Sequence, residues 1–132
     1  MERARLALSV AWLALACRGD RDRPAFPVPG EGAPHVTVEV LNASARLGVA
    51  RLGTRVLREA GIDVVSVGNA RAESTPLDST RIVVRRGSAA VGARVRRALG
   101  VGQVLIALDS TRLLDASVFL GLDFRPRGDF HP

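Results

Sequence analysis

The first regular pattern in the chain is a strict alternation of apolar and polar residues over residues 36–40 (VTVEV). A period of two is typical of a strand with one buried face. Val49, Leu52, Val56 and Ala60 then follow one another at steps of three and four, which places them on one face of a helix. The sequence therefore predicts a strand followed by an amphipathic helix.

Glycines mark the ends of two helices. Gly61 suits the position just after a helix, with Ile62 placed for the apolar contact that accompanies such an end. A second helical pattern covers residues 91–98 and stops at Gly100.

Four further apolar runs predict the remaining strands, and they cover residues 63–67, 80–85, 104–108 and 117–122. The resulting order is β-α-β-β-α-β with a closing strand. Two helices can cover one face of a mainly antiparallel sheet, so we expect an α+β two-layer sandwich of ferredoxin-like character. Residues 36–124 are enough for one small hydrophobic core.

Residues 1–17 (MERARLALSVAWLALAC) have the features of an export signal. Two arginines precede an apolar stretch, residues 6–16, that is interrupted only by Ser9. The stretch is too short to span a bilayer and has the length of a secretory hydrophobic region. We therefore expect residues 1–16 to be a signal peptide. A helix of the core is the less favoured alternative, because the segment is apolar on all sides.

The tetrapeptide ALAC at residues 14–17 resembles a bacterial lipobox, in which the cysteine is acylated and becomes the first residue of the mature chain. The resemblance implies a lipoprotein of the cell envelope that carries palmitate or a similar acyl group on Cys17 and is anchored to a membrane on the extracytoplasmic side. Ordinary signal cleavage and an uncleaved anchor are the alternatives. Residues 17–35 are rich in proline and glycine and are predicted to be a tether, and residues 125–132 a loose tail.

The composition argues against catalysis. All 19 basic residues are Arg, Tyr is absent and there is one Cys, which excludes lysine and tyrosyl chemistry, a multi-cysteine zinc site and an internal disulfide. His35 and His131 lie in the predicted tether and tail, so neither sits beside a nucleophile on a rigid element. Turn formation explains Asp109, Asp115 and Asp123 more simply than a pair of catalytic carboxylates. We expect no enzyme activity, no cofactor and no metal site.

Charge indicates an anionic partner. Without residues 1–16 the chain has 17 basic and 12 acidic residues, a net charge of +5. This excess suits a lipid surface or a wall polymer. Nucleic acid fits the charge equally well, but an exported chain rarely meets it, and apart from Phe119 and Phe124 the predicted strands lack aromatic residues for stacking.

Asn42 and Ser44 are the first candidate ligand contacts. They lie at a junction between strand and helix, where unpaired backbone N–H groups attract anions. Capping of the helix is the alternative role for both side chains. Asn69, which follows Gly68, is a further candidate, with a turn as the alternative.

Arginines on the helices are the second set of candidates. Arg51, Arg55 and Arg58 lie on one face of the first helix, and Arg94 and Arg97 on an outer face of the second. Guanidinium groups bind carboxylates and phosphates in a bidentate manner. A solvated outer face is the alternative.

Three segments also resemble a known family: residues 36–70 (VTVEVLNASARLGVARLGTRVLREAGIDVVSVGNA), residues 79–87 (STRIVVRRG) and residues 117–124 (SVFLGLDF). They resemble the LytR C-terminal domain, which follows the catalytic module of many LytR-CpsA-Psr wall-polymer ligases and also occurs alone on envelope proteins. Ala43 and Ala45 stand where the family often has glycine. No catalytic module fits in these 132 residues, so the resemblance implies an accessory envelope module without ligase activity.

Together these observations predict a non-catalytic, envelope-anchored module that binds peptidoglycan or an anionic wall polymer. One alternative is a scaffold lipoprotein that binds an envelope protein through the edge of its sheet. The other is a nucleic-acid-binding regulator, whose affinity would fall steeply with salt.

Overall fold

The computed structural model describes residues 34–71 and 76–126. Its elements follow the predicted order, although their ends differ from the prediction by up to two residues. The predicted signal peptide, Cys17, nearly all of the predicted tether and most of the predicted tail lie outside the described residues. The elements are β1 (Thr37–Asn42), α1 (Val49–Glu59), β2 (Asp63–Asn69), β3 (Arg81–Val84), α2 (Ala89–Leu99), β4 (Gln103–Ile106) and β5 (Ala116–Leu120).

The five strands form one mixed sheet in the order β2-β1-β5-β3-β4. Three of the four pairs are parallel, and only β3 and β5 are antiparallel. The prediction of a mainly antiparallel sheet is therefore wrong, and the ferredoxin-like strand order is not confirmed.

The helices explain the parallel pairs. A helix that crosses the sheet returns the chain to the end where the previous strand began, so the next strand runs parallel to it. Here β1-α1-β2 and β3-α2-β4 each form such a unit, and the two strands of each unit are direct neighbours. In a ferredoxin-like sheet another strand lies between them.

The last strand occupies the centre of the sheet. β5 pairs with β1 in parallel and with β3 in antiparallel orientation, and so joins the two units. Four of its five residues are buried. The predicted closing strand is thus an essential part of the core.

The end of α1 confirms the prediction made from Gly61. The N–H of Ile62 donates to the carbonyl oxygen of Leu57 at 3.0 Å, and the N–H of Gly61 donates to that of Arg58 at 3.0 Å. Gly61 has a φ of +73°, and Ile62 and Leu57 are both buried. This is the Schellman arrangement, in which a left-handed residue closes a helix.

Both helices pack on the same face of the sheet. An added methyl group on Gly53 of α1 would collide with Leu120 of β5, and one on Gly92 of α2 would collide with Val84 of β3. The core between the helices and the sheet contains the inward-facing residues of the strands, among them Val38, Val40, Ile82, Val118 and Leu120. Among the described residues, none forms a helix on the other face of the sheet. No helix within residues 34–71 and 76–126 has the length and apolar character needed to cross a membrane.

Candidate functional site

The sheet face opposite the helices holds a cavity of about 630 Å³, here called the open-face cavity. Strand alternation builds it, because residues next to buried positions point to the other side of the sheet. Glu39 and Leu41 of β1 and Phe119 of β5 contribute from the centre of the sheet, and Arg81 and Val83 of β3 from the side nearer β4. The remaining wall residues are Ala43, Asn69, Ala70, Arg71, Leu77, Arg85, Leu105 and Arg112.

Positive charge predominates around this cavity. Its lining includes four arginines and one carboxylate, that of Glu39. Arg81 is exposed, and its side chain forms no hydrogen bond or ion pair with any described residue. Its guanidinium therefore remains available for an anion. The four arginines are Arg71, Arg81, Arg85 and Arg112.

A polar network lies at the centre of the open face. The hydroxyl of Ser117 donates to Glu39 Oε1 at 2.6 Å and accepts from Arg85 Nε at 3.2 Å. Arg112 forms two ion pairs. Its Nη1 lies 3.6 Å from the same Glu39 oxygen, and its Nε lies 3.8 Å from Asp109 Oδ2. Ser117 is fully buried, so its hydroxyl holds Glu39 in place and is not presented as a nucleophile.

The floor of the cavity is apolar. Leu41, Val83 and Phe119 are half-buried there, and Leu105 of β4 is 38% exposed. In the strand ladders Phe119 lies opposite both Leu41 and Arg81. An apolar floor beneath a few convergent polar groups is the usual composition of a ligand-binding pocket.

The loop after β1 holds the predicted Asn42–Ser44 site. Asn42 Nδ2 donates to the carbonyl oxygen of Arg46 at 2.6 Å, and Asn42 Oδ1 accepts from the N–H and the hydroxyl of Ser44 at 3.0 and 2.8 Å. Ser44 is buried. The residue that caps α1 is Gly48, without a side-chain hydrogen bond to the helix. Asn42 and Ser44 are thus close together and bind each other within the loop.

The predicted arginines of α1 are also close together. Arg51, Arg55 and Arg58 line a shallow depression beside Val67 of β2. All three are exposed, and Arg58 Nη2 donates to the carbonyl oxygen of Val64 at 3.1 Å. This surface lies on the helical side of the domain and does not share lining residues with the open-face cavity.

The other predicted residues are dispersed. Asn69 is the last residue of β2 and Gly68 precedes it in the strand, so the turn considered there as the alternative is wrong. Asn69 lines the open-face cavity. Arg94 donates to the carbonyl oxygens of Pro34 and Gly61 at 2.8 and 3.2 Å. Arg97 lies on the outer side of α2, beside Arg96.

Three aspartates considered for catalysis have threonine partners. One oxygen of each carboxylate accepts from both the N–H and the hydroxyl of a threonine, at 2.6 to 3.0 Å. For Asp109 the two bonds from Thr111, followed by the positive charges of Arg112 and Arg85, hold the pKa below its ordinary value. Among the described residues no group of His, Cys, Asp and Glu is arranged to hold a metal ion. The pairs are Asp109–Thr111, Asp115–Thr37 and Asp123–Thr80.

Sequence reasoning missed most of the open-face cavity. Glu39 and Arg81 alternate with buried valine or isoleucine in β1 and β3, and Arg85 continues this alternation just after β3. The period of two therefore marks all three as pointing away from the core. The strand order was needed to place β1 and β3 on either side of β5 and so to bring these residues to one cavity. Arg112 lies in the loop before β5, and no pattern indicated it.

Comparison with known proteins agrees with this fold. A sequence model of the family described as LytR cell envelope-related transcriptional attenuator matches residues 35–124, more than half of the chain. No curated protein matches the chain significantly. In a search of solved structures, the chain is similar to the soluble domain of a conserved hypothetical secreted protein from Mycobacterium marinum, with 22% sequence identity and a TM-score of 0.51.

That similarity covers 71% of this chain and 65% of the other, so this chain spans just under two thirds of the length of that structure. At this identity the likeness concerns the fold alone. The match over residues 35–124 is the stronger result, because it includes every helix and strand of the sheet. The chain belongs to the LytR C-terminal domain family, a family of accessory, non-catalytic domains linked to the cell envelope.

Proposed function

We propose that this protein is a non-catalytic module of the cell envelope that binds an anionic wall polymer on the open face of its sheet. The observation that carries the proposal is the concentration of four arginines around one cavity with a single carboxylate. Guanidinium groups are well suited to the phosphates and carboxylates of such polymers. Membership of an envelope-related family supports the location.

The absence of catalysis is part of the same proposal. Ser117, the hydroxyl closest to the carboxylate of the cavity, is fully buried and donates its proton to Glu39. The aspartates outside the cavity are held by threonines in the loops. The described residues of the open face therefore offer groups that bind and orient a ligand, and none of them is an activated nucleophile.

Anchoring through Cys17 is the third part of the proposal. The lipobox-like sequence at residues 14–17 supports it, and acyl chains would hold the module near the wall polymer. A Cys17→Ser variant should leave the membrane fraction and lose a lipid-sized mass from its mature terminus. Retention of the variant in the membrane would contradict lipidation.

The test of polymer binding is sedimentation of the full-length chain with purified sacculi at low salt. We expect co-sedimentation of the unchanged protein. Because Arg71 and Arg81 both line the cavity, the double variant Arg71→Ala/Arg81→Ala should bind at least about tenfold more weakly.

The matched control removes two exposed arginines from α2. Arg96→Ala/Arg97→Ala lowers the net charge equally, but both residues lie on the helical side, so binding should change less than about twofold. Arg51→Ala/Arg55→Ala tests the α1 surface that the sequence indicated. Loss of binding only in this last variant would move the polymer site from the open face to α1.

Protein binding through the sheet edge is a second candidate function. β4 is an edge strand, and Ile106 and the nearby Leu108 are 60% and 65% exposed. Exposed apolar residues along an unpaired edge favour addition of a strand from a partner. An Ile106→Lys variant should then lose a partner that co-purifies from cross-linked envelopes, while it keeps its binding to sacculi. An Ile106→Lys variant that keeps both the partner and its binding to sacculi would exclude this function.

A further inference from the structure

The open-face cavity contains more than positive charge, and its composition indicates what kind of anion it takes. Phosphate or sulfate alone requires only guanidinium groups. This cavity adds an apolar floor with a phenyl ring, formed by Leu41, Val83, Leu105 and Phe119. A ligand that uses the whole site must therefore present apolar surface next to its charge.

Glu39 imposes a second requirement. Its side chain is 14% exposed, and its contacts with Ser117 and Arg112 both use Oε1. Oε2 takes part in neither contact. A carboxylate in this position repels a ligand that is anionic throughout and attracts one that also carries hydrogen-bond donors, such as hydroxyl groups.

The ladder register gives the spacing of these groups. Leu41, Phe119 and Arg81 form one row across β1, β5 and β3, and Glu39, Ser117 and Val83 form the next. Neighbouring strands are about 4.8 Å apart and alternate residues along a strand about 6.6 Å apart. The backbones of Glu39 and Arg81 are thus about 12 Å apart, on either side of Phe119, a separation comparable to the length of a disaccharide.

We infer that the open-face cavity binds an acidic saccharide of about two rings. The carboxylate or phosphate of the sugar pairs with Arg81, the C–H face of a ring rests on Phe119, and a hydroxyl donates to Glu39. The negative face of a phenyl ring attracts such polarised C–H groups. This inference rests on the proposed binding of a wall polymer and specifies the unit that is recognised.

Calorimetric titration of the full-length chain in non-ionic detergent tests the inference. The probes are digalacturonate, its neutral counterpart galactobiose, and glycerol 3-phosphate, which carries charge without a ring. We expect digalacturonate to bind at least about tenfold more tightly than either other probe, since each of them lacks one of the two features.

Variants separate the roles of charge and ring. Arg81→Ala should weaken digalacturonate binding about tenfold, and Phe119→Leu about fivefold, because leucine keeps the apolar volume but not the ring. Phe119→Tyr keeps the ring and should bind as the unchanged protein does. Arg96→Ala on α2 is the control for net charge and should have no effect. Circular dichroism checks the fold of each variant.

The results overturn the inference if glycerol 3-phosphate binds as tightly as digalacturonate and Phe119→Leu has no effect, since the cavity would then recognise charge alone. A second outcome is sacculus binding that depends on Arg71 and Arg81, with no binding of digalacturonate. It overturns the inference of an acidic saccharide and leaves the proposed function intact. Binding of digalacturonate without binding to sacculi overturns the proposed binding of a wall polymer and leaves the saccharide site intact.

Discussion

Aspartate–threonine pairs hold three of the loops in place. Asp115 Oδ2 accepts from the N–H and hydroxyl of Thr37 at the start of β1, and Asp123 Oδ1 accepts from those of Thr80 just before β3. Thr80 is fully buried, and its hydroxyl oxygen also accepts from the N–H of Gly121 at 3.0 Å. A carboxylate that satisfies two buried donors stabilises the loop more than a neutral acceptor does.

Removal of the Asp123 carboxylate should therefore destabilise the protein. Asp123→Ala leaves both donors of the buried Thr80 without their acceptor, so we expect the free energy of unfolding to fall by about 2–3 kcal/mol in urea denaturation. Asp78→Ala is the control, because Asp78 is exposed and its side chain forms no hydrogen bond with a described residue. Equal losses in the two variants would contradict this role of Asp123.

Asp109 provides a test of pH dependence. Its pKa is lowered chiefly by the hydrogen bond from the Thr111 hydroxyl, at 2.6 Å, and then by that from the Thr111 N–H. A pKa below that of the unfolded chain means that the carboxylate stabilises the fold above the unfolded pKa, and that this contribution is lost as the pH falls through the folded pKa. Thr111→Val removes the hydroxyl and should raise the Asp109 pKa toward its ordinary value.

The measurement is an NMR titration of the Asp109 carboxyl carbon in both proteins. Thr111→Ser, which keeps the hydroxyl, is the control and should leave the Asp109 pKa low. An unchanged Asp109 titration in Thr111→Val would show that another contact lowers the pKa.

At the scale of elements, the end of α1 depends on a left-handed residue. Gly61 adopts a φ of +73°, and the two hydrogen bonds that close the helix require this conformation. Gly61→Ala should cost about 1 kcal/mol of unfolding free energy, because a Cβ disfavours left-handed backbone. Gly61→Asn should cost less, since Asn tolerates the conformation better. Thermal denaturation distinguishes them, and an alanine variant as stable as the original would contradict the prediction.

The junction between β5 and the segment before β3 depends on close backbone approach. A Cβ on Gly121 would lie 2.5 Å from the Ser79 carbonyl carbon and 2.7 Å from the Thr80 nitrogen. Because backbone cannot move aside as a flexible side chain does, Gly121→Ala should destabilise the protein by about 3 kcal/mol or more. Gly68→Ala is the control, with an ordinary contact of 3.6 Å to Leu41. Equal losses of unfolding free energy in the two variants, measured by urea denaturation, would contradict the predicted clash at Gly121.

At the scale of the whole molecule, one sheet separates two different surfaces. The helical side covers the core and carries the arginines of α1 and α2, and the open side carries the cavity with its own arginines and Phe119. Binding on the open side thus requires no rearrangement of the core. The domain can present the cavity to a polymer while the helices face elsewhere.

Salt should weaken polymer binding by this surface. Exposed charges are screened over about 3 Å at 1 M salt, against about 10 Å at 0.1 M. We expect sacculus binding to fall at least about fivefold between about 0.05 M and 0.5 M NaCl. Arg71→Ala/Arg81→Ala should show a shallower salt dependence than the unchanged protein, because fewer ion pairs remain to be screened. Binding that is indifferent to salt would point to an apolar partner surface.

The site could be predicted only in part. Alternation in β1 and β3 assigns Glu39 and Arg81 to the side away from the core. The spacing of three and four residues on α1 places Arg51, Arg55 and Arg58 on one face of the helix. Asn42 and Ser44 were singled out by residue type, and the structure shows that they bind each other. Local patterns report which way a side chain points from its own element, and they carry no information about which element lies next to it.

The amino-acid sequence by itself determined the elements, their order and the helix end at Gly61, because periodicity and backbone preferences act over a few residues. Only the tertiary structure decided that β5 lies between β1 and β3 and that most strands are parallel, because strand pairing joins residues far apart in the chain. That arrangement places Glu39, Phe119 and Arg81 on three neighbouring strands. The open-face cavity is therefore a product of strand order, which packing selects for the chain as a whole.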